Sequence, residues 1–221
     1  MNFEQARFNM IEQQIRPWNV LDPQVLELLN TVKREDFVLP AYRALAFADL
    51  ALPLRANDSA GPCMLPPRVQ ARLLQDVAPR KHESVLQIGA GSGYLTALLA
   101  HCAKRVIALE IEPDLATVAR TNLRQAGIHN ADVRQADGAS YSAPEAPFDV
   151  ILLCGAVVQL PEQLMSQLKP GGRLMAIVGQ EPIMHATLVT RGAGGSLEQK
   201  QPWDTVAPML RHFASAPAFS F

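Results

Sequence analysis

The chain lacks most of what would place it outside ordinary folded proteins. Its three cysteines, Cys63, Cys102 and Cys154, are widely spaced and odd in number. Neither a disulfide framework nor a metal- or redox-type cysteine pair is therefore expected, and the thiols read as reduced and buried. Net charge is also missing: a formal value of −1 supplies no global attraction to nucleic acid or an anionic membrane, so neither is an expected partner. The longest apolar run, VILLCGAVV at 150–158, falls short of the roughly 20 residues needed to span a bilayer. Residues 1–19, MNFEQARFNMIEQQIRPWN, carry charge throughout, so no signal peptide is expected and the protein reads as cytoplasmic. No Ser–His–Asp or paired-carboxylate constellation is recognisable, the histidines are scattered, and no metal site is expected.

What remains is a foldable sequence with room for one domain and a modest extension: 221 residues against a typical domain of about 150. With 48% hydrophobic and 19% charged residues, its composition is globular, not disordered. Residues 1–80 read as a helical and loop extension packing on the core. Phe8, Ile11 and Ile15 share one helical face, and Asp22 and Pro23 open a second helix striped by Val25, Leu28, Leu29 and Val32. FADLALPLRANDSAGPCMLPP is an irregular connection, after which Val69, Leu73 and Val77 mark a third helix.

From about residue 81 to 221 the texture changes to strands alternating with helices. SVLQI, RVIALE, ADVRQAD, FDVILLC and RLMAIVG are strands, and the segments between the first three are helical. QLPEQLMSQLKPGG reads as a further helix and turn. This order predicts an α/β fold with a doubly wound, mostly parallel sheet. GAGGSLE, between HATLVTR and QPWDTV, reads as a hairpin turn and predicts an antiparallel C-terminal end.

The stretch VLQIGAGSGYLTALLA runs from strand through a glycine loop into a helix. Gly89, Gly91 and Gly93 are spaced G-x-G-x-G, and Tyr94 stands where a dinucleotide-binding loop needs its third small residue. No Gly-Lys-Ser/Thr follows, so the loop is not a P-loop. Glu110 ends the second strand, where a carboxylate can accept from ribose hydroxyls, and Asp137, followed by Gly138, ends the third, where one can accept from an adenine amine. Glycines and two acids at the ends of three adjacent strands point to a nucleoside site.

VLQIGAGSGY, VIALEIEP, RQADGAS, APFDVILLCGA and LKPGGRLMAIVG together resemble the successive motifs of class I S-adenosylmethionine-dependent methyltransferases, a Rossmann-like family. The ending GSGY, the upstream NMIEQQIRPWNVLDPQVLELLNTVKREDFVLPAYRALAFADLALPL and the helix before the first strand narrow this to the protein-L-isoaspartate O-methyltransferases. The resemblance covers most of residues 5–190 and is less distinct in the C-terminal tail. It implies S-adenosyl-L-methionine as cofactor, with Gly89, Gly91 and Gly93 admitting its amino-acid portion. Glu110 would hold the ribose diol, and Asp137 with Gly138 would flank the adenine. It also implies a protein-repair activity: methylation of a carboxylate of isoaspartyl residues in damaged proteins or peptides.

The chain departs from the family pattern twice. Gln87 stands where an acidic residue is usual; an amide can orient the loop or accept from the donor's ammonium, without the charge-assisted bond. More consequentially, Leu65 occupies the position of a serine that helps place the substrate carboxylate, and Cys63 that of a threonine. Arg68 and Ser59 are the candidates to compensate. Methyl transfer to a carboxylate needs no general base, because the acceptor is already ionised at neutral pH. Three alternatives stay open: a different carboxylate, a small-molecule acceptor, or a non-catalytic S-adenosylmethionine-binding module. A nicotinamide oxidoreductase is disfavoured by Tyr94.

Overall fold

A computed structural model describes residues 2–213. The N-terminal extension holds α1 (Phe3–Met10), α2 (Pro23–Thr31), the short strand pair β1 (Leu52–Pro53) and β2 (Cys63–Met64), and α3 (Pro67–Val77). Local chemistry sets the helix starts. Asn2 accepts from the Gln5 N–H at 3.2 Å ahead of α1. Asp22 accepts from the Gln24 N–H at 2.8 Å, and Pro23 takes the first helical position of α2, as the sequence predicts. Beyond Met10 the chain continues through a wider turn at Ile11–Ile15 and a tighter one at Arg16–Trp18. The wider turn shifts the helical register. Ile11 and Ile15 are buried as expected, but Phe8, expected on the same face, is 54% exposed.

The core continues with β3 (Ser84–Ile88), α4 (Tyr94–Cys102), β4 (Arg105–Glu110), α5 (Pro113–Gln125), β5 (Ala131–Gln135) and β6 (Phe148–Val157). Then come α6 (Glu162–Ser166), β7 (Leu168–Gln180), β8 (Ile183–Arg191) and β9 (Leu197–Asp204). One sheet runs β5-β4-β3-β6-β7-β8-β9. Leu86 of β3 pairs in parallel with Ile107 of β4 on one side and Ile151 of β6 on the other. The strand order reverses beside β3, which opens a crevice at its carboxyl end. β8 pairs antiparallel with both β7 and β9, and the Gly192 N–H donates to the Ser196 carbonyl at 2.8 Å in the predicted hairpin.

Alternation along β3 divides the core. Val85 faces a cluster that includes Ile15, Leu29 and Leu74 of the extension together with Leu98 and Ala119 of α4 and α5. Leu86 and Ile88 face the opposite cluster, with Leu153, Leu164 and Leu174. The extension thus supplies part of the main core on one face of the sheet. The helix expected across QLPEQLMSQLKPGG shrinks to Glu162–Ser166, because β7 begins at Leu168 and carries Pro170 and the positive-φ Gly171 within it. Neither residue favours helix continuation. No helix among the described residues is long and apolar enough to cross a membrane.

Candidate active site

A cavity of about 370 Å³ lies at the carboxyl ends of β3, β4, β5 and β6. The first wall is the glycine loop. The N–H groups of Gly89 and Ala90 both donate to the Leu109 carbonyl, at 2.8 and 3.0 Å, tying the loop to the end of β4. Gly91 then turns with φ +55° and donates its N–H to Glu110 Oε2 at 2.7 Å. A side chain at Gly91 would be strained by that backbone conformation and would crowd Leu54 across the cavity. Glu110 Oε1 accepts from the Glu112 N–H at 3.1 Å. Two backbone donors therefore fix the carboxylate, and each oxygen keeps accepting capacity for a further hydroxyl.

Asp137 stands just beyond β5. Its Oδ1 accepts from the Ala139 N–H at 3.0 Å and its Oδ2 meets His212 Nδ1 at 2.7 Å. Burial works to raise its pKa, but the His212 and Ala139 hydrogen bonds prevail and hold it below the ordinary value. Gly138 is a packing requirement: a Cβ there would sit 2.4 Å from Ile88 Cγ2.

Gly89, Gly91, Glu110, Asp137 and Gly138 all line the one cavity. Gln87 and Gly93 lie behind it. Gln87 is fully buried, donating to the Gly89 carbonyl at 3.0 Å and to Cys154 Sγ at 3.3 Å, while its Oε1 is buried without a partner. Its amide orients the loop, one of the two roles expected of it. Gly93 faces Ala119 of α5.

Leu65 and Cys63 line the opposite side of the same cavity. Leu65 is 4% exposed and offers only carbon. Of the two expected substitutes for the missing hydroxyl, Arg68 turns away: its Nε lies 2.8 Å from Asp49 Oδ2, and its guanidinium stacks 3.9 Å from the Trp18 ring centroid. Ala60 and Gly61 reach the cavity wall, but Ser59 does not. The three cysteines are unpaired, as expected, yet half-buried where full burial was expected, since Cys63 and Cys154 reach the cavity. Burial nevertheless pushes the Cys154 thiol up to about 12, with the Gln87 hydrogen bond opposing and Glu110 adding.

Several cavity residues escaped sequence reasoning. Cys154 stands on β6, beside the crevice, and a strand-end search extended by one strand finds it. The tail at 208–213 carried no such signal. The Ala156 N–H of β6 donates to the Pro208 carbonyl and the Leu210 N–H donates to the Ala156 carbonyl, both at 2.8 Å, and this draws Leu210, Arg211 and Phe213 to the cavity. Arg211 pairs with Glu112, which Arg55 engages from the other side. Arg55 also donates to Asp114 at 2.8 Å, and that hydrogen bond pulls the Asp114 carboxyl down to about 2. Both arginines are thus engaged on the rim. Among the described residues no group of three or more His, Cys, Asp or Glu side chains is placed to hold a metal ion.

A doubly wound sheet with an antiparallel end, a glycine loop at its switch point and carboxylates on the next two strands define the Rossmann-like methyltransferase fold. A family model described as protein-L-isoaspartate(D-aspartate) O-methyltransferase matches residues 5–207, and the chain belongs to that family. A protein-L-isoaspartate O-methyltransferase of Koribacter versatilis is 35% identical over 98% of this chain and 96% of its own. Another, from Syntrophobacter fumaroxidans, is 37% identical over 88% of this chain and 89% of its own. Among solved structures, a Plasmodium falciparum protein described as a protein-L-isoaspartate O-methyltransferase, in complex with S-adenosyl-L-homocysteine, superposes with TM-score 0.79. It is 19% identical, over 96% of this chain and 99% of its own, and bears on the fold alone.

Proposed function

We propose that this protein transfers a methyl group from S-adenosylmethionine to the carboxylate of isoaspartyl residues in damaged proteins or peptides. The observation that carries the reading is Glu110, buried at the end of β4 and held by two backbone N–H groups beside the glycine loop. Its spare lone pairs suit a ribose diol, and Asp137 suits an adenine amine at the next strand. The unpartnered Oε1 of Gln87 and the positive-φ turn at Gly91 fit a polar ligand laid against the loop. Family membership supports the acceptor class.

Bound there, S-adenosylmethionine supplies an electrophilic methyl group. The chain's part is to align and to dehydrate: Glu110 and Asp137 fix the nucleoside, and Leu54, Leu65 and Leu210 exclude water. No residue is needed to remove a proton, because the acceptor carboxylate arrives ionised. The unpaired cysteines suit a reducing, cytoplasmic compartment.

Leu65 favours a second reading with the same donor and a different acceptor, another carboxylate or a small molecule, since a leucine cannot bond the carboxylate it faces. Methyl transfer from labelled S-adenosylmethionine to an isoaspartyl peptide, beside the matching aspartyl peptide, separates the two. Transfer to the isoaspartyl form alone is expected. Donor binding without that transfer replaces the first reading by the second.

A further inference from the structure

Behind Leu65 lies a buried cation for which the proposed chemistry has no use. Arg34, on a short turn at Arg34–Asp36, is 1% exposed. Its Nε donates to the Ala46 carbonyl at 3.0 Å, its Nη2 to the Leu65 carbonyl at 2.8 Å, and its Nη1 to Gln70 Oε1 of α3. The guanidinium carbon sits 5.2 Å from the centroid of the Tyr94 ring. None of these three hydrogen bonds reaches a carboxylate. The adjacent Glu35 is engaged by Arg7 instead. Burial lowers the Arg34 pKa to about 10, which leaves it cationic at neutral pH.

A buried charge whose hydrogen bonds all go to neutral groups, with Asp49 acting on it only through space, is costly, and an apolar side chain would fill the same volume at less cost. What the guanidinium does that an apolar side chain cannot is bond several segments at fixed angles. It joins three segments of the N-terminal extension: the chain at Ala46, Leu65 just after β2, and α3. Its face covers Tyr94, the first residue after the glycine loop. Leu65 lines the cavity but has no polar atom in its side chain to fix it there. Its position rests on its backbone, and Arg34 Nη2 holds that backbone.

We infer that Arg34 is a positioning residue for the acceptor side: it holds the Leu65 carbonyl, and through it the acceptor wall, at a set distance from the glycine loop. The inference rests on the isoaspartyl reading for its kinetic test but not for its structural one. Arg34 touches no reacting atom, so its loss is expected to separate acceptor recognition from donor binding.

The experiment compares wild type, Arg34→Lys and Arg34→Met. Three quantities are read: calorimetric affinity for S-adenosylhomocysteine, KM and kcat for an isoaspartyl peptide, and amide hydrogen exchange across residues 63–65. In Arg34→Met the peptide KM is expected to rise about tenfold, the size of one lost charge-assisted hydrogen bond. Exchange at 63–65 should accelerate, and donor affinity should stay within about twofold. Arg34→Lys, which keeps the charge but not the fork, should fall between. An unchanged KM with unchanged exchange, or equal losses of donor and acceptor binding, overturns the inference. Failure of both variants to fold also overturns it, assigning Arg34 to the fold alone. If wild type transfers nothing to the peptide, the isoaspartyl reading fails, and exchange at 63–65 against donor affinity still decides the role of Arg34.

Discussion

The proposed donor and acceptor sides of the cavity handle polarity in opposite ways. On the donor side, Glu110 and Asp137 bring charge to the wall itself, each fixed by backbone N–H donors from its own neighbourhood. On the acceptor side, Leu65 and Cys63 face inward, and the charged groups, Arg34 and Arg68, are turned into the structure behind them. Residues at strand ends inherit their placement from the sheet, so the donor wall varies little without breaking the crevice. The acceptor wall is a two-residue strand and a loop, and a side chain there can be exchanged without disturbing β3 or β4.

The severest way to break this comparison is Glu110→Ala. Hydrogen bonds to a charged group contribute about 1.5–3 kcal/mol each, and a ribose diol offers two. Donor affinity measured by calorimetry is expected to fall about 100-fold. Unchanged affinity would remove the ribose site from β4.

Asp137→Asn keeps the shape and removes the charge, so a smaller loss is expected, about tenfold in donor affinity. It carries a pH signature as well. In the folded chain Asp137 lies below its ordinary 3.8. Its contribution to stability is therefore complete above that ordinary value and disappears as pH falls through the lowered one. Acid denaturation should begin at higher pH in the asparagine variant than in wild type, the two converging below the lowered value. The same midpoint in both would show that the His212 contact does not form in solution.

Leu65→Ser tests the other wall. Removing a buried leucine side chain is expected to cost about 3 kcal/mol in denaturant titrations. Donor affinity should remain within about twofold, since no hydrogen bond links Leu65 to Glu110 or Asp137. A hydroxyl facing the cavity should raise kcat/KM for an isoaspartyl peptide about tenfold. If donor affinity fell in step, the division into two sides would not hold.

That division also marks how much of the molecule was legible beforehand. The doubly wound, mostly parallel sheet, its antiparallel end and the placement of Gly89, Gly91, Glu110 and Asp137 on one cavity follow from local rules: alternation, strand ends and the loop spacing. Asp22 was readable for the same reason, because a cap acts within its own turn. The acceptor side depends on contacts between distant segments. Arg34 and Leu65 are 31 residues apart. Nothing in the spacing of a lone arginine announces that it will be buried, so Arg34 passed unnoticed. Arg68 stood beside the proline pair and looked available, until Trp18 and Asp49 claimed it. Phe8 shows a third limit: the buried face of α1 is carried by Arg7 and Met10, and hydrophobic spacing alone placed Phe8 on it.

The smallest effect concerns Cys154, which lies between the two walls. It lines the cavity, so access alone would let a small alkylating reagent reach it. Its thiol is nevertheless pushed up to about 12 by burial, whereas an unperturbed cysteine titrates near 8.5 and is roughly a quarter ionised at pH 8. The thiolate is the reacting species, and at pH 8 it should make up about one part in ten thousand of Cys154. Iodoacetamide at that pH should therefore leave Cys154 unmodified on a timescale that fully labels the denatured chain, as read by peptide mass mapping. Fast labelling would mean that a cation reaches the sulfur in solution. Of the nearby arginines, Arg211 is the one whose release from Glu112 would supply it, and the tail would then be mobile over the donor site. Because the Gln87 amide donates to the Cys154 sulfur and opposes the effect of burial, Gln87→Ala should slow labelling further, and quickening there would show that the variant has opened the cavity wall instead.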